Sequence, residues 1–201
     1  MSTRRGEDLA LAHRLADAAD AITLSRYQAL DLTVTTKPDN TPVTDADKSA
    51  EDAIRALLHA HRPDDGIVGE EFGTQGTEKN RYWVIDPIDG TKNFLRGVPT
   101  WATLIGLMER DADGIEKVIV GVVSAPALFR RWYAFEGGGA FVIVNKEVPK
   151  KISVSAVSSI EDASISHSDF IGWGDRLEPF NNLMMSAWRT RAHGDFWSHM
   201  L

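Results

Sequence analysis

Helical spacing of small and apolar residues marks the first third of the chain. Between residues 7 and 29 such residues recur at alternating intervals of four and three, which predicts one helix face: Leu11, Leu15, Ala18, Ile22, Ser25 and Ala29. A second helix is predicted over residues 45–61, with Thr44 as its N-cap and Pro63 just beyond its end. Its core-facing residues are predicted to be Ala50, Ile54, Leu57 and Leu58. Prolines 38 and 42 predict a loop or irregular hairpin over residues 31–43.

From residue 66 onward the pattern changes to short apolar runs separated by glycine-containing turns, which is typical of strands. The predicted strands are 66–69, 82–86, 102–108, 117–123, 131–135, 140–144, 152–155 and 163–167. A helix over 175–187, a short strand over 188–192 and a last helix that opens at Gly194-Asp195 follow. Two helices, a run of mostly antiparallel strands and the start of an α/β unit predict layered helices and sheets, in the α+β to α/β class.

Composition places the chain among ordinary globular proteins. Its 201 residues are 43% hydrophobic and 25% charged, and the absence of cysteine excludes disulfides and cysteine-bound zinc. The net charge is −7 and the basic residues form only short pairs, so nucleic acid is not an expected partner. The N-terminus lacks the apolar core of a signal peptide, and no window approaches the ~20 apolar residues of a membrane span. A soluble, cytoplasmic protein without a membrane partner is therefore expected.

The stretch WVIDPIDGTKNF, residues 83–94, carries the strongest candidate chemistry. Asp86 closes an apolar strand and Asp89 follows one tight turn later, with Pro87 restricting the backbone between them. Such a turn can bring two carboxylates and the Ile88 carbonyl to one point, and hard cations such as Mg²⁺ take oxygen ligands of this kind. For either aspartate alone, an Asp-Pro turn or a helix cap is the simpler interpretation. The whole ordered string favours a cation site.

Gly90 and Thr91 come directly after these aspartates and open a short helical segment. The outward amides of a helix N-terminus favour an anion. The same hexapeptide, DPIDGT, is therefore predicted to offer cation ligands beside a phosphate site.

Two other acidic pairs lie at the ends of predicted elements. Glu70 and Glu71 follow the first predicted strand, and because adjacent strand residues point to opposite faces, one is expected to enter a site and the other to lie at the surface. Asp47 stands three residues after Thr44, the spacing of a capping box, and Asp45 lies in the first turn of the same helix. Both aspartates thus have a helix-start explanation, and a second role of Asp47 in ordering a metal or water is compatible with it.

Together these motifs resemble the inositol-monophosphatase-like family of Mg²⁺-dependent, lithium-sensitive phosphatases. The resemblance is carried by KPDNTPVTDAD, GEEFG, WVIDPIDGTKNF and VGVVSAPALFRRWYAFEGGGAF, and it spans nearly the whole chain. Two segments, SAPALFRRW and WRTRAHGDF, look like the histidinol-phosphate phosphatases of actinobacterial histidine biosynthesis. The resemblance implies a layered αβαβα fold, usually a homodimer, that hydrolyses small phosphomonoesters. Residues 1–150 would hold the metal and phosphate site, and 151–201 would begin the C-terminal α/β half.

Matched position by position, the resemblance also implies roles for individual residues. The implied metal ligands are oxygen donors: Glu70, Asp86, Asp89, the Ile88 carbonyl and, for a further, weaker metal, Asp47. Gly90 and Thr91 would bind phosphate through their amides, and Thr91, with Glu70 or Asp47, would orient the attacking water. Lys37 is matched near the opening of the same metal and phosphate site. Two or three Mg²⁺ ions are implied, with Mn²⁺ as a substitute.

One family segment, Trp-Asp-x-Ala, is not reached before Leu201, and its aspartate would bind the second metal. We therefore expect a fragment or a truncated product, shorter than a whole family member by roughly 60 residues, within ordinary domain-size variation. Such a chain would have an incomplete second metal site and an unfinished final sheet, and it is expected to be poorly active or prone to aggregate.

Asp195 is the residue on which the predicted substrate depends. One hypothesis pairs its carboxylate with the ammonium of histidinol phosphate, a group that inositol phosphate lacks, and the alternative is an ordinary first-turn acid. The leading interpretation is a Mg²⁺-dependent histidinol-phosphate phosphatase. The alternatives are a phosphatase of inositol 1-phosphate or another small sugar phosphate, and an inactive relic that keeps the fold.

Overall fold

The computed structural model describes residues 3–38, 40–168 and 170–200, apart from the side chains of residues 3 and 196, so Asp39 of the segment KPDNTPVTDAD lies outside it. The chain forms two compact units, one that ends at Ile152 and one that begins at Ser153. The first contains α1 (Thr3–Arg26), β1 (Val34–Thr36), β2 (Pro42–Thr44), α2 (Asp45–His61), β3 (Gly66–Gly69), β4 (Gly73–Gln75), β5 (Arg81–Asp89), α3 (Thr91–Leu95), β6 (Ala102–Arg110), β7 (Glu116–Ala125), β8 (Arg130–Phe135), β9 (Gly139–Val144) and β10 (Lys150–Ile152). The second contains β11 (Ser164–His167), α4 (Leu177–Ser186) and β12 (Arg189–Ala192).

An eight-stranded sheet organises the first unit, in the order β10-β9-β8-β7-β6-β5-β3-β4. Its neighbours pair antiparallel except for β3 and β5, which run parallel with Gly69 opposite Ile85. Parallel neighbours end at the same edge of a sheet. The residues that come next, Glu70 and Asp86, therefore lie side by side.

Helices α1 and α2 pack together against one face of this sheet, and their contacts form the main hydrophobic core. Strands β5, β6 and β7 supply most of its sheet side, mainly through these residues: Trp83, Ile85, Ile105, Leu107, Val120 and Val122. Their spacing of two along each strand is the period of one sheet face. The combination of a helical layer and a largely antiparallel sheet confirms the predicted fold class.

The buried face of α1 differs in part from the predicted one. Ser25 is exposed and Ala18 is only half-buried, whereas Ala12, Ala16 and Ala19 are fully buried. Alanine presents a single methyl group, so its burial lets the helix backbone come close to its neighbours. The spacing of four and three follows a single narrow stripe, whereas the buried face of α1 is wider and also includes the residues next to Leu11 and Leu15.

Helix α2 matches its predicted bounds, and Thr44 is its N-cap in a capping box with Asp47. Two other elements were predicted wrongly, and one strand was not predicted. The strand predicted at 152–155 lies at Lys150–Ile152, where it pairs with β9 as an edge strand. The helix predicted from Gly194 is a short 3₁₀ helix, Phe196–Met200. Strand β4 is short and exposed, so no apolar pattern marks it, and its pairing with β3 defines it.

In the second unit, β11 and β12 run parallel and α4 lies between them in sequence. Phe180 of α4 is buried, and its ring stacks on Trp173 with centroids 3.9 Å apart. Within the described ranges of both units, no helix is long and apolar enough to cross a membrane.

Candidate active site

A β-bulge brings Asp86 and Asp89 to the same face of β5. Asp86 lies opposite Leu104 and Asp89 lies opposite Ala102, so β5 carries one residue more than β6 over this stretch. Leu104 and Ala102 are two apart and share a face, and directly opposite residues of antiparallel strands share a face as well. Aspartates three apart, which a regular strand would separate, are thereby directed to one side.

The peptide between the two aspartates is fixed by contacts on both sides. The Thr103 hydroxyl, buried opposite the bulge, donates to the Pro87 carbonyl at 2.8 Å. Ile88 is 1% exposed and belongs to a small apolar cluster with Phe94 and Trp101, whose rings meet edge to face at 5.0 Å. The turn is therefore held in position independently of any ligand.

Glu70 contributes a third carboxylate beside Asp86. Its backbone amide donates to the Ile85 carbonyl at 3.1 Å, which continues the β3–β5 pairing by one residue. Burial, the charge and hydrogen bond of Glu70, and the charges of Asp89 and Asp47 together raise the pKa of Asp86 to about 9. The pKa of Asp86 is thus raised by burial first and by the neighbouring carboxylates second.

Asp47 and Thr91 approach this cluster from the starts of α2 and α3. Asp47 is fully buried, and its Oδ2 accepts hydrogen bonds from the Thr44 amide at 2.8 Å and the Thr44 hydroxyl at 2.5 Å. Its Oδ1 lies 3.5 Å from Oγ1 of Thr91, which is 3.1 Å from the Ile88 carbonyl oxygen. Burial raises the pKa of Asp47, and the Glu70 charge acts in the same direction while hydrogen bonds from Thr44 oppose it. Asp47 therefore caps the helix and also reaches Thr91.

Gly90 connects the strand to α3 with a φ of 98°, in the left-handed region. Glycine adopts this conformation without the steric cost that a Cβ atom brings. The turn it makes places Thr91 at the first position of α3, directly after the bulge.

Lys37 occupies the open side of the carboxylate cluster. Its ammonium lies 2.8 Å from Oε1 of Glu70 and 2.9 Å from Oε1 of Glu71. Burial lowers the pKa of Lys37, but the hydrogen bonds and charges of the two glutamates outweigh it, so the pKa lies above its ordinary value. The side chain of Glu71 is only 3% exposed and that of Glu70 is 42% exposed, so one glutamate of the pair lies at the surface as expected, and it is Glu70. Lys37 draws both carboxylates to one point, which the alternation of a regular strand does not allow.

The donors of this cluster fit Mg²⁺. Glu70, Asp86, Asp89 and the Ile88 carbonyl offer only hard oxygen atoms, and their shared negative charge calls for a cation. In the conformation of residues 3–38, 40–168 and 170–200, no three acidic or histidine side chains already surround one point as in a loaded site. Lys37 supplies positive charge to Glu70 and Glu71.

Sequence reasoning missed a buried glutamate and its partly buried arginine partner beside the loop that carries Glu70. Glu51 of α2 is fully buried, and its Oε2 accepts a hydrogen bond from the Glu71 amide at 2.8 Å. Arg55, one turn later, donates to Oε1 of Glu51 at 2.7 Å. The spacing of four on α2 was the available signal, since a glutamate and an arginine at that interval form a pair on one helix face.

Asp195 lies in the second unit, just before the 3₁₀ helix, and its carbonyl accepts hydrogen bonds from the Ser198 amide and hydroxyl. The predicted contact between its side chain and a substrate stays a prediction.

Comparison with known proteins decides the family. A model of the inositol monophosphatase family matches residues 6–188. The chain belongs to the inositol monophosphatase family. Membership makes it a phosphatase, a hydrolase of phosphomonoesters, as the resemblance of its motifs implied.

Relatives within the family include two proteins named histidinol-phosphatase. That of Streptomyces coelicolor is 56% identical over 97% of this chain and 73% of its own length. That of Mycobacterium tuberculosis is 52% identical over 97% of this chain and 74% of its own length.

Solved structures share the fold. The inositol monophosphatase of Zymomonas mobilis has a TM-score of 0.80 and 31% identity, with 100% of this chain and 74% of that chain covered. The extragenic suppressor protein SuhB of Bartonella henselae also has a TM-score of 0.80, at 28% identity, with 94% of this chain and 71% of that chain covered. These similarities place the two aspartates of β5 within a fold that inositol monophosphatases share.

Proposed function

We propose that this phosphatase hydrolyses histidinol phosphate to histidinol and phosphate with the help of Mg²⁺. One observation carries the metal-dependent part of this proposal. The β3–β5 pairing and the bulge of β5 bring Glu70, Asp86 and Asp89 together at one edge of the sheet. Three clustered carboxylates favour the binding of divalent cations. Such cations offset the negative charge of the phosphate group during hydrolysis of the ester.

In this proposal the metal would be held by Glu70, Asp86, Asp89 and the Ile88 carbonyl, with Asp47 near a further ion. Bound Mg²⁺ would neutralise charge on the phosphate and lower the pKa of a coordinated water. Two or three ions are proposed, with Mn²⁺ as a substitute, and lithium is expected to inhibit as it does in the family. A cation at Glu70 would compete with the ammonium of Lys37, which lies 2.8 Å from Oε1 of that carboxylate.

The remaining residues position the reactants. The amides of Gly90 and Thr91 are proposed to bind the phosphate. The Thr91 hydroxyl lies within reach of both Asp47 and the Ile88 carbonyl, and its lone pairs can accept a hydrogen bond from the attacking water. Asp47 is proposed to receive the proton that the water gives up as its oxygen bonds to phosphorus. The ester oxygen leaves phosphorus and takes up a proton to form the alcohol.

The substrate part of the proposal is supported by relatives. The two relatives named histidinol-phosphatase are more than half identical to this chain over nearly its full length. A relative named inositol-1-monophosphatase, from Caulobacter vibrioides, is 35% identical over 62% of this chain. Identity at this level favours the first activity, and inositol 1-phosphate is the second candidate because the family as a whole is named for it.

Parallel assays of phosphate release test both parts. Histidinol phosphate and inositol 1-phosphate are supplied to the chain with Mg²⁺ or with a chelator, and the Streptomyces coelicolor relative serves as the reference enzyme. We expect hydrolysis of histidinol phosphate at the higher kcat/KM, lost on chelation. Thr91→Val is expected to lower kcat by about 10²-fold or more, because it removes the hydroxyl that orients the water. Equal or better hydrolysis of inositol 1-phosphate would refute the substrate assignment.

Asp195→Asn tests how the substrate is recognised. If the carboxylate pairs with the ammonium of histidinol phosphate, the variant raises KM for that substrate about tenfold, equivalent to ~1.4 kcal/mol. KM for inositol 1-phosphate, which carries no ammonium, should not change. An unchanged KM for histidinol phosphate would show that Asp195 is an ordinary acid before a short helix.

A further inference from the structure

A buried ion pair lies directly behind the loop that carries Glu70. The carboxylate of Glu51 accepts hydrogen bonds from the Glu71 amide at 2.8 Å and the Phe72 amide at 3.2 Å. Arg55 donates to that carboxylate at 2.7 Å through Nε and to the Gly73 carbonyl at 2.5 Å through Nη2. Helix α2 thereby holds consecutive peptide groups of the loop that leaves β3.

The last residue of β3 shows how close this approach is. A Cβ atom on Gly69 would overlap the Glu51 carboxylate and would lie 2.7 Å from Nη2 of Arg55. Glycine is the only residue that leaves room for the carboxylate there. Glu51 and Arg55 therefore pack directly against the end of β3, at the residue immediately before Glu70.

We propose that Glu51 and Arg55 are positioning residues of the metal site. They hold the loop after β3 so that Glu70 stands beside Asp86, although the two carboxylates repel each other. This inference rests on the proposed function, since it concerns the affinity of the site for Mg²⁺. Glu51 and Arg55 would thus affect Mg²⁺ binding without contacting the metal.

The contacts of the pair distinguish this role from general support of the fold. Glu51 accepts hydrogen bonds from the loop amides of residues 71 and 72, and Arg55 donates one to the carbonyl of residue 73, so all of them involve backbone directly after the proposed ligand. Arg55 balances the charge of Glu51 with an ion pair at 2.7 Å, so the buried glutamate supports the loop as part of a neutral pair. Outer residues that orient metal ligands commonly change metal affinity by about 10- to 100-fold when they are replaced.

The test compares Glu51→Gln and Arg55→Met with the wild-type chain. Glutamine keeps the size of Glu51 but turns an N–H group toward one of its donors, so at least one loop hydrogen bond is lost. Calorimetry is expected to show a Kd for Mg²⁺ raised by about 10-fold or more in both variants. In phosphate-release assays at saturating Mg²⁺, kcat should return toward the wild-type value, because the loop role is to assemble the site.

Asp8→Asn is the matched control. Asp8 is another fully buried carboxylate, and it accepts hydrogen bonds from Arg62 at 2.9 Å and Arg81 at 2.6 Å. Arg81 is five residues before Asp86 along β5, which is about 16 Å at the rise of an extended strand. This variant should lower the thermal midpoint as the Glu51 variant does while leaving the Kd for Mg²⁺ unchanged.

The outcomes separate the two proposals. A wild-type chain that does not bind Mg²⁺ would refute the proposed function. If the wild-type chain binds Mg²⁺ and the Kd of Glu51→Gln lies within twofold of the wild-type Kd, the positioning role is refuted. It is also refuted if Asp8→Asn loses as much Mg²⁺ affinity as Glu51→Gln. If Glu51→Gln does not fold, amide hydrogen exchange of the wild-type chain tests whether Glu51 holds the loop. Slow exchange of the Glu71 and Phe72 amides supports the buried acceptor, and fast exchange contradicts it.

Discussion

At the scale of single residues, Lys37 has the contact that a bound cation would change most. Its ammonium bridges Glu70 and Glu71, and its side chain is 20% exposed. A cation that binds Glu70 competes with this ammonium for the same oxygen atoms. The lysine is therefore a counterion that the chain itself supplies to the two glutamates.

Lys37→Met should strengthen Mg²⁺ binding, since the competing ammonium is removed. Because a partly exposed ion pair is worth up to ~1 kcal/mol, the Kd measured by calorimetry should fall by about two- to fivefold. Lys48→Met, a change of another lysine beside Lys37 in the same shallow cleft, should leave the Kd as it is. Weaker binding in Lys37→Met would mean that the ammonium organises the glutamates for the metal.

His13 makes the stability of the first unit depend on pH. Its ring meets Tyr133 edge to face at 4.8 Å, and burial lowers the pKa of His13, with Arg131 acting in the same direction and Asp17 opposing. The neutral ring is therefore favoured in the folded state. As pH falls, the unfolded chain takes up its proton first, near the ordinary pKa of 6.5, so the free energy of unfolding decreases.

Denaturant unfolding at pH 7.5 and pH 5.5 measures this effect. The wild-type chain should lose stability at the lower pH, and His13→Phe, which keeps an aromatic ring against Tyr133, should lose less. A pH dependence that is the same in both proteins would assign it to other groups.

At the scale of elements, the bulge of β5 is the feature on which the aspartate pair depends. Thr103→Val removes the hydroxyl that holds the Pro87 carbonyl and leaves the shape of the side chain nearly unchanged. We expect a loss of about 1 kcal/mol in the free energy of unfolding, the usual net value of a hydrogen bond. Mg²⁺ should also bind more weakly, because the turn between Asp86 and Asp89 is less firmly held.

The matched change is Thr100→Val, at another hydroxyl beside a turn, where Thr100 accepts a hydrogen bond from Asn93 at 3.1 Å. It should lower stability by a similar amount and leave Mg²⁺ affinity as it is. If Thr103→Val loses stability but not affinity, the bulge holds its shape without Thr103.

The parts of the fold that the sequence predicts well depend on neighbours in sequence. The bounds of α2 follow from Thr44 and the Thr44–Asp47 capping box, which lie within one turn of each other. The two aspartates of DPIDGT were expected to meet because the proline turn between them is local. These cues need no knowledge of the rest of the molecule.

The parts that could not be predicted depend on distant segments. The bulge is visible only once Asp86 and Asp89 are aligned with β6, and the burial of Glu71 depends on Lys37, 34 residues away. Glu51 looks like a surface residue of a helix until the loop after β3 is placed against it. In each case tertiary contacts, not local preference, decide what the residue does.

At the scale of the whole molecule, the two units differ in how much apolar surface they bury. The first unit contains the cluster of helices and sheet described above, whereas the buried hydrophobic residues among the described part of the second are Phe180 and Trp197. Several large apolar side chains of the second unit are exposed: Val154, Ile171, Met185 and Trp188. Burial of apolar area is the main source of folding stability, so we expect the first unit to be the more stable.

Mg²⁺ should increase this difference, because all its proposed ligands belong to the first unit. At a free concentration 100 times Kd, binding stabilises a folded state by about 2.7 kcal/mol. Hydrogen exchange followed by mass spectrometry should show slower exchange in residues 66–95 with Mg²⁺ and no change in residues 153–200. Protection that is confined to the second unit, or absent from both, would contradict the proposed ligand set.

The extra residue in β5 has a practical consequence for protein engineering. Transplanting the hexapeptide DPIDGT into the strand of another protein would not reproduce the proposed cation site, because the aspartates of a host strand in regular register would point to opposite faces. A graft must also carry the stretch 102–104 of the partner strand, in the same alignment. The smallest portable form of the motif is therefore a pair of strands.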